Sequence, residues 1–128
     1  MSNEESIIID PVGMNIVNRI APGSTFRGNM ECHGGLMVQG TLDGNARVTG
    51  GPVVLMQEGT IKGDVNCSGD MYLFGTVDLK DTGEQSELVA SGAAFLADTL
   101  DAKANITSAA IKTYEGAQIH GRISTRRR

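Results

Sequence analysis

The chain has no tryptophan, and aromatic residues make up only 4% of its 128 positions. A large globular core draws on aromatic bulk, so this scarcity points to a narrow interior filled by Val, Ile, Leu, Met and Ala. Cys32 and Cys67 form no CxxC motif and have no histidine pair nearby, which argues against a zinc site. Both read as small inward hydrophobes in a reducing compartment. His33 and His120 are far apart, offer no catalytic pairing and read as surface residues. No apolar run approaches the roughly 20 residues of a membrane span, and no basic-then-apolar leader opens the chain, so a cytoplasmic location is the expectation. A formal net charge of −4 argues against a general nucleic-acid binder. The closing Arg126-Arg127-Arg128 falls short of the roughly four to eight basic residues of a lipid-binding cluster and reads as a solubilising end.

What the chain has in abundance is glycine, 17 residues, and a repeat that places it. Threonine, an apolar residue, any residue and glycine recur as Thr25-Phe26-Arg27-Gly28, Thr41-Leu42-Asp43-Gly44 and Thr60-Ile61-Lys62-Gly63. With looser copies the starts fall at Thr25, Thr41, Thr60, Thr76, Thr99 and Gln118, spaced by 16, 19, 16, 23 and 19 residues. Such a period marks stacked units, each burying its apolar face against the next. Within a unit the period is two: Leu36, Val38, Gly40, Leu42, Gly44, Ala46 and Val48 alternate with more polar neighbours, which is strand spacing. Inward glycines let so long a run of alternation bend without turning its face.

Six windings about 4.8 Å apart predict an all-β solenoid roughly 29 Å long. The outward third position reads Arg27, Asp43, Lys62, Asp78, Asp101, His120, alternating in charge over the first four windings. Gly50-Gly51-Pro52 fits a corner loop, and an insertion from about Lys80 to Leu96 is expected to project largely as a surface loop. The expected division is an N-terminal tail over 1–21, a solenoid domain over 22–124 and a basic tail over 125–128. The N-terminal tail carries Ile7, Ile8, Ile9, Ile16, Val17 and Ile20, which could cap the first winding, touch a membrane or meet a partner. The ends of the solenoid expose unpaired backbone and the apolar termini of the core, so Phe26 and Met30 in the first winding and Ile111, Ile119 and Ile123 in the last are the candidate self-association residues.

The chain resembles the bactofilins, a bacterial polymer-forming cytoskeletal family. The resemblance rests on Ile16 to Met30, on Val38-Gln39-Gly40-Thr41-Leu42-Asp43-Gly44-Asn45-Ala46, on Glu58 to Val65 and on Glu115 to Ile123. It implies a right-handed parallel β-helix of about six windings that polymerises end to end without nucleotide or other cofactor. The implied role is a structural, non-enzymatic scaffold for cell shape or for wall-modifying enzymes, often at the inner face of the membrane. One departure is the absence of phenylalanine after Phe95, where the resemblance implies one near the last winding. Two rival classes remain. A hexapeptide-repeat acyltransferase on a left-handed helix would advance in multiples of six and need clustered histidines, and neither is present. A non-polymerising adaptor would share the fold and stay at a small fixed size.

Overall fold

In the computed structural model, which describes residues 9–125, every regular element is a strand. The first winding holds β1 (Ile16–Ile20) and β2 (Thr25–His33), and the second β3 (Gly35–Val38) and β4 (Thr41–Thr49). The third holds β5 (Val53–Leu55), β6 (Thr60–Lys62) and β7 (Val65–Cys67); the fourth β8 (Met71–Leu73), β9 (Thr76–Val77) and β10 (Ser86–Ala90). The fifth holds β11 (Ala93–Leu96), β12 (Asp101–Ala102) and β13 (Ala104–Ser108); the sixth β14 (Ala110–Thr113), β15 (Gln118–Ile119) and β16 (Ile123–Thr125). All pairings between windings are parallel. The result is the expected β-solenoid of six windings.

Stacking gives the rod three faces. The first runs β1-β3-β5-β8-β11-β14. The long strands β2 and β4 turn the corner between the other two, so β4 pairs with β6 near its start and with β7 near its end. From there β6-β9-β12-β15 continue the second face and β7-β10-β13-β16 the third. That corner is where the repeat's glycines sit: Gly28, Gly44 and Gly63 have φ of +119°, +149° and +153°. A Cβ at Gly44 would collide with the Gly28 carbonyl oxygen, and one at Gly63 with that of Gly44. Glycine therefore serves two ends here, a backbone conformation closed to L side chains and the close approach of one winding to the next. In the fourth winding Ser86 takes this column. Its buried hydroxyl accepts from the Gly63 N–H (2.9 Å) and donates to the Asp78 carbonyl (2.8 Å).

Residues at inward positions form one continuous core, with Leu36, Leu42, Leu55, Ile61, Leu73, Leu88 and Ile106 fully buried. No aromatic belongs to it; Phe26 alone packs against its end. Cys32 and Cys67 are free and buried in this core, as expected, and burial raises both thiol pKa values.

Three expectations need correction. The fifth copy of the repeat begins at Asp101, not Thr99, because Asp101 pairs with both Thr76 and Gln118. Thr99 lies in a turn and donates its hydroxyl to the Phe74 carbonyl (2.5 Å), while the buried Leu100 falls beside Gly75 and imitates the repeat's apolar position two residues early. The projecting insertion is short: Ser86–Ala90 and Ala93–Leu96 are strands of the rod, leaving 78–85 as the loop. The third correction concerns 16–20, assigned to the tail from the sequence, which forms β1 and pairs with β3 through a bulge between Ile16 and Asn18.

With the register corrected, the outward column reads Arg27, Asp43, Lys62, Asp78, Lys103, His120, and its alternation reaches the fifth winding. Arg27 pairs with Asp43 at 3.4 Å and Lys103 with Asp78 at 3.8 Å, whereas Lys62 reaches Asp81 of the loop at 3.4 Å. Such exposed pairs contribute a few tenths of a kcal/mol each.

Candidate functional site

The five residues singled out for self-association gather at opposite ends of the rod. Phe26 and Met30 lie on β2 in inward columns, half-buried against the core, continuing to Leu42 and Ala46 of the next winding. At the other end each face contributes one isoleucine: Ile111 from β14, Ile119 from β15 and Ile123 from β16. They stack on Ala94, Ala102 and Ile106, so each continues an inward column that simply stops. Ile123 is 41% exposed, and Ile111 and Ile119 are half-exposed. An inward side chain is covered by the windings above and below it. The last winding has a neighbour on one side only.

Backbone tells the same story. Among the described residues, strands β1 and β2 at one end and β14, β15 and β16 at the other pair on one edge only, leaving hydrogen-bonding groups along the other edge directed parallel to the rod axis. Each end therefore offers unpaired strand edges around an apolar centre, a template for a further winding. Among the described residues no helix covers either end.

Of the N-terminal residues, Ile20 joins the core, Ile16 is half-buried and Val17 is 66% exposed beside Gly34. Ile9 is half-buried; Ile7 and Ile8 lie outside the described residues, as does Arg126-Arg127-Arg128.

A groove of about 580 Å³ lies along the glycine corner and is lined by Asn29, Asn45, Arg47, Asp64 and Glu87 among others. Asn29, Asn45, Asp64 and Glu87 are engaged in a ladder that crosses every winding. Asn45 Nδ2 donates to Asn29 Oδ1 (3.2 Å), and the Asp64 N–H to Asn45 Oδ1 (3.4 Å). The Glu87 N–H donates to Asp64 Oδ1 (3.0 Å), Asn105 Nδ2 to Glu87 Oε2 (2.7 Å), and the Arg122 N–H to Asn105 Oδ1 (2.9 Å). Each carbonyl or carboxylate oxygen thus serves its neighbour's winding, and the groove reads as a seam of the rod rather than a pocket for a substrate. His33 and His120 are exposed on the first and last windings. Among the described residues no three His, Cys, Asp or Glu side chains are grouped to hold a metal ion, and no helix is long and apolar enough to cross a membrane.

Sequence reading missed an apolar surface on the outside of the first face, built on Met37, Val54, Tyr72 and Phe95. The signal was available. The alternation places Tyr72 and Phe74 at outward parity, in a chain with few aromatics to place anywhere.

Neither a curated protein nor a solved structure matches the chain significantly. The model of one family does, over residues 18–124, and that family is described as polymer-forming cytoskeletal. This span takes in all six windings and most of the chain, so the protein belongs to the bactofilin family.

Proposed function

We propose that this chain joins end to end through its terminal windings into nucleotide-independent filaments, and that these support cell shape or hold partner proteins such as wall-modifying enzymes in place. The observation that carries the reading is the arrangement of Ile111, Ile119 and Ile123, one per face, ending three inward columns inside a ring of unpaired strand edges. Docking a second rod there extends the core and the sheets together. The absence of a nucleotide requirement follows from the chemistry: burial and strand pairing are favourable without hydrolysis.

Purified protein is expected to form filaments visible by electron microscopy without ATP or GTP and at high salt. Ile119 is half-exposed, so Ile119→Glu leaves the fold intact. It removes about 1.5–3 kcal/mol of burial at the joint. At about 1.4 kcal/mol per decade, that raises the concentration needed for assembly by roughly tenfold to a hundredfold. Phe26→Glu tests the opposite end. Wild-type protein that sediments as a small species of fixed size at all concentrations would overturn the proposal and leave the adaptor reading.

A further inference from the structure

Among the described residues the last winding has support from one side only, and on the second face β15 joins β12 through just two residue pairs. Between β15 and β16 the chain turns the glycine corner at His120-Gly121-Arg122, with Ile119 immediately before it and Ile123 immediately after. The placement of this corner therefore sets two of the isoleucines that end the core.

The ladder to the fifth winding uses one backbone group of His120 and one of Arg122. The His120 N–H donates to the Ala102 carbonyl (2.7 Å), and the Arg122 carbonyl accepts from the Ile106 N–H (2.8 Å). What remains is the His120 carbonyl and the Arg122 N–H, and a side chain takes each of them. Gln85 Nε2 donates to the His120 carbonyl at 2.7 Å, and Asn105 Oδ1 accepts the Arg122 N–H at 2.9 Å. Asn105 is in turn held by the fourth winding, since its Nδ2 donates to Glu87 Oε2 at 2.7 Å.

Both links start from one short segment, Gln85-Ser86-Glu87. Ser86 points inward, fixed by its hydrogen bonds to the Gly63 N–H and the Asp78 carbonyl, which leaves its two neighbours outside. The Glu87 N–H is fixed to Asp64 Oδ1 (3.0 Å), and Gln85 is half-buried at the end of the 78–85 loop. That loop is itself tied to the third winding, by Lys80 to Asp64 at 3.2 Å and by Asp81 to Lys62 at 3.4 Å. The fifth winding passes the same corner with a single residue, Lys103, between β12 and β13. The Gln85 side chain thus reaches across the fifth winding to the sixth.

An end held by few backbone bonds opens locally at little free-energy cost. A frayed last winding would have to be ordered before another rod could dock on it, and that ordering subtracts from affinity.

We infer that Gln85 and Glu87 form a clasp that fixes the corner of the last winding and, granted the end-to-end joining proposed above, preorganises the apolar end that receives a second copy. They act through the backbone of His120 and Arg122 and are positioning residues.

The test is hydrogen exchange read by mass spectrometry on full-length protein, diluted below the concentration at which anything sediments. Gln85→Glu keeps the shape of the side chain and loses the donor. It should speed exchange at 118–124 by about two- to tenfold, the range that one hydrogen bond commands, while exchange in β4 to β7 stays unchanged. Glu87→Ala should act in the same direction, whereas Glu87→Gln retains an acceptor for Asn105 and should exchange as the unsubstituted chain does. No acceleration overturns the inference, and so does equal acceleration in all six windings, which would assign both residues to general stability. Sedimentation then reads the second half: Gln85→Glu should raise the concentration needed for assembly by a similar factor, and faster exchange with an unchanged threshold would overturn preorganisation. Should the unsubstituted protein never sediment, end-to-end joining falls, and with it preorganisation; the exchange measurement still decides whether the clasp exists.

Discussion

Replacing Gly44 by alanine tests the stacking of windings against a built-in control, Gly28. The two residues pair in adjacent windings and both have positive φ, +149° and +119°. Alanine strains the backbone at either position by about 1–3 kcal/mol. They differ in what a new Cβ meets: nothing within 4 Å at Gly28, but the Gly28 carbonyl oxygen at Gly44. A backbone atom held in a parallel ladder cannot swing aside as a side-chain tip can. The first and second windings would have to move apart, stretching the Arg27–Asp43 region of the ladder and loosening Leu42 against Phe26. Overpacking of that kind adds about 1–3 kcal/mol. We therefore expect Gly28→Ala to cost about 1–3 kcal/mol and Gly44→Ala about 2–6 kcal/mol, the latter a large share of the roughly 5–15 kcal/mol that holds a domain folded. Urea unfolding followed by circular dichroism on the dispersed Ile119→Glu protein gives both numbers without a contribution from assembly. Equal losses for the two variants would refute the stacking argument and leave the glycine column explained by φ alone.

Other expectations follow from single contacts. Ser86→Ala leaves the Gly63 N–H without its 2.9 Å acceptor in a buried corner, and should lower stability by about 1–3 kcal/mol in the same unfolding assay. Lys103→Ala breaks the exposed 3.8 Å pair with Asp78 and should change the urea midpoint by less than about 0.5 kcal/mol of stability. Cys67 is protonated in the core and its thiol pKa is raised above the ordinary 9.0, chiefly by burial. A raised pKa in the folded state means that the stability this group contributes is present below pH 9 and is lost as the pH climbs through the folded value. The urea midpoint should therefore fall as the pH rises above 9, and Cys67→Ala should flatten that fall.

The threonine-to-glycine repeat made the windings, the inward parity and the glycine corner legible, since each depends on residues whose type is dictated by backbone geometry. The ends were legible for the same reason: once columns are aligned, Ile119 and Ile123 can only terminate them. Register failed where one side chain imitated another. Leu100 is apolar, inward and preceded by threonine, yet it occupies the column of Gly75, because the corner before β12 is two residues longer than the one before β9. Ser86 hid a winding in the apparent insertion by meeting the need of the glycine corner through a hydroxyl. Strand β1 escaped because the first face carries no threonine-glycine signature at all, only short apolar alternation. The outward apolar stripe was invisible to a reading that took the outer parity as solvated.

The hydrogen bonds between windings lie along the rod axis, so a pull on the two ends loads them in series, and the weakest joint sets the force the whole body can bear. On the second face the joints are narrow beyond the third winding: β9 is held to β6 and to β12, and β12 to β15, by two residue pairs each, whereas β2 and β4 share nine. Under tension the last three windings should yield first while the first two hold, giving the rod a stiff end and a compliant one.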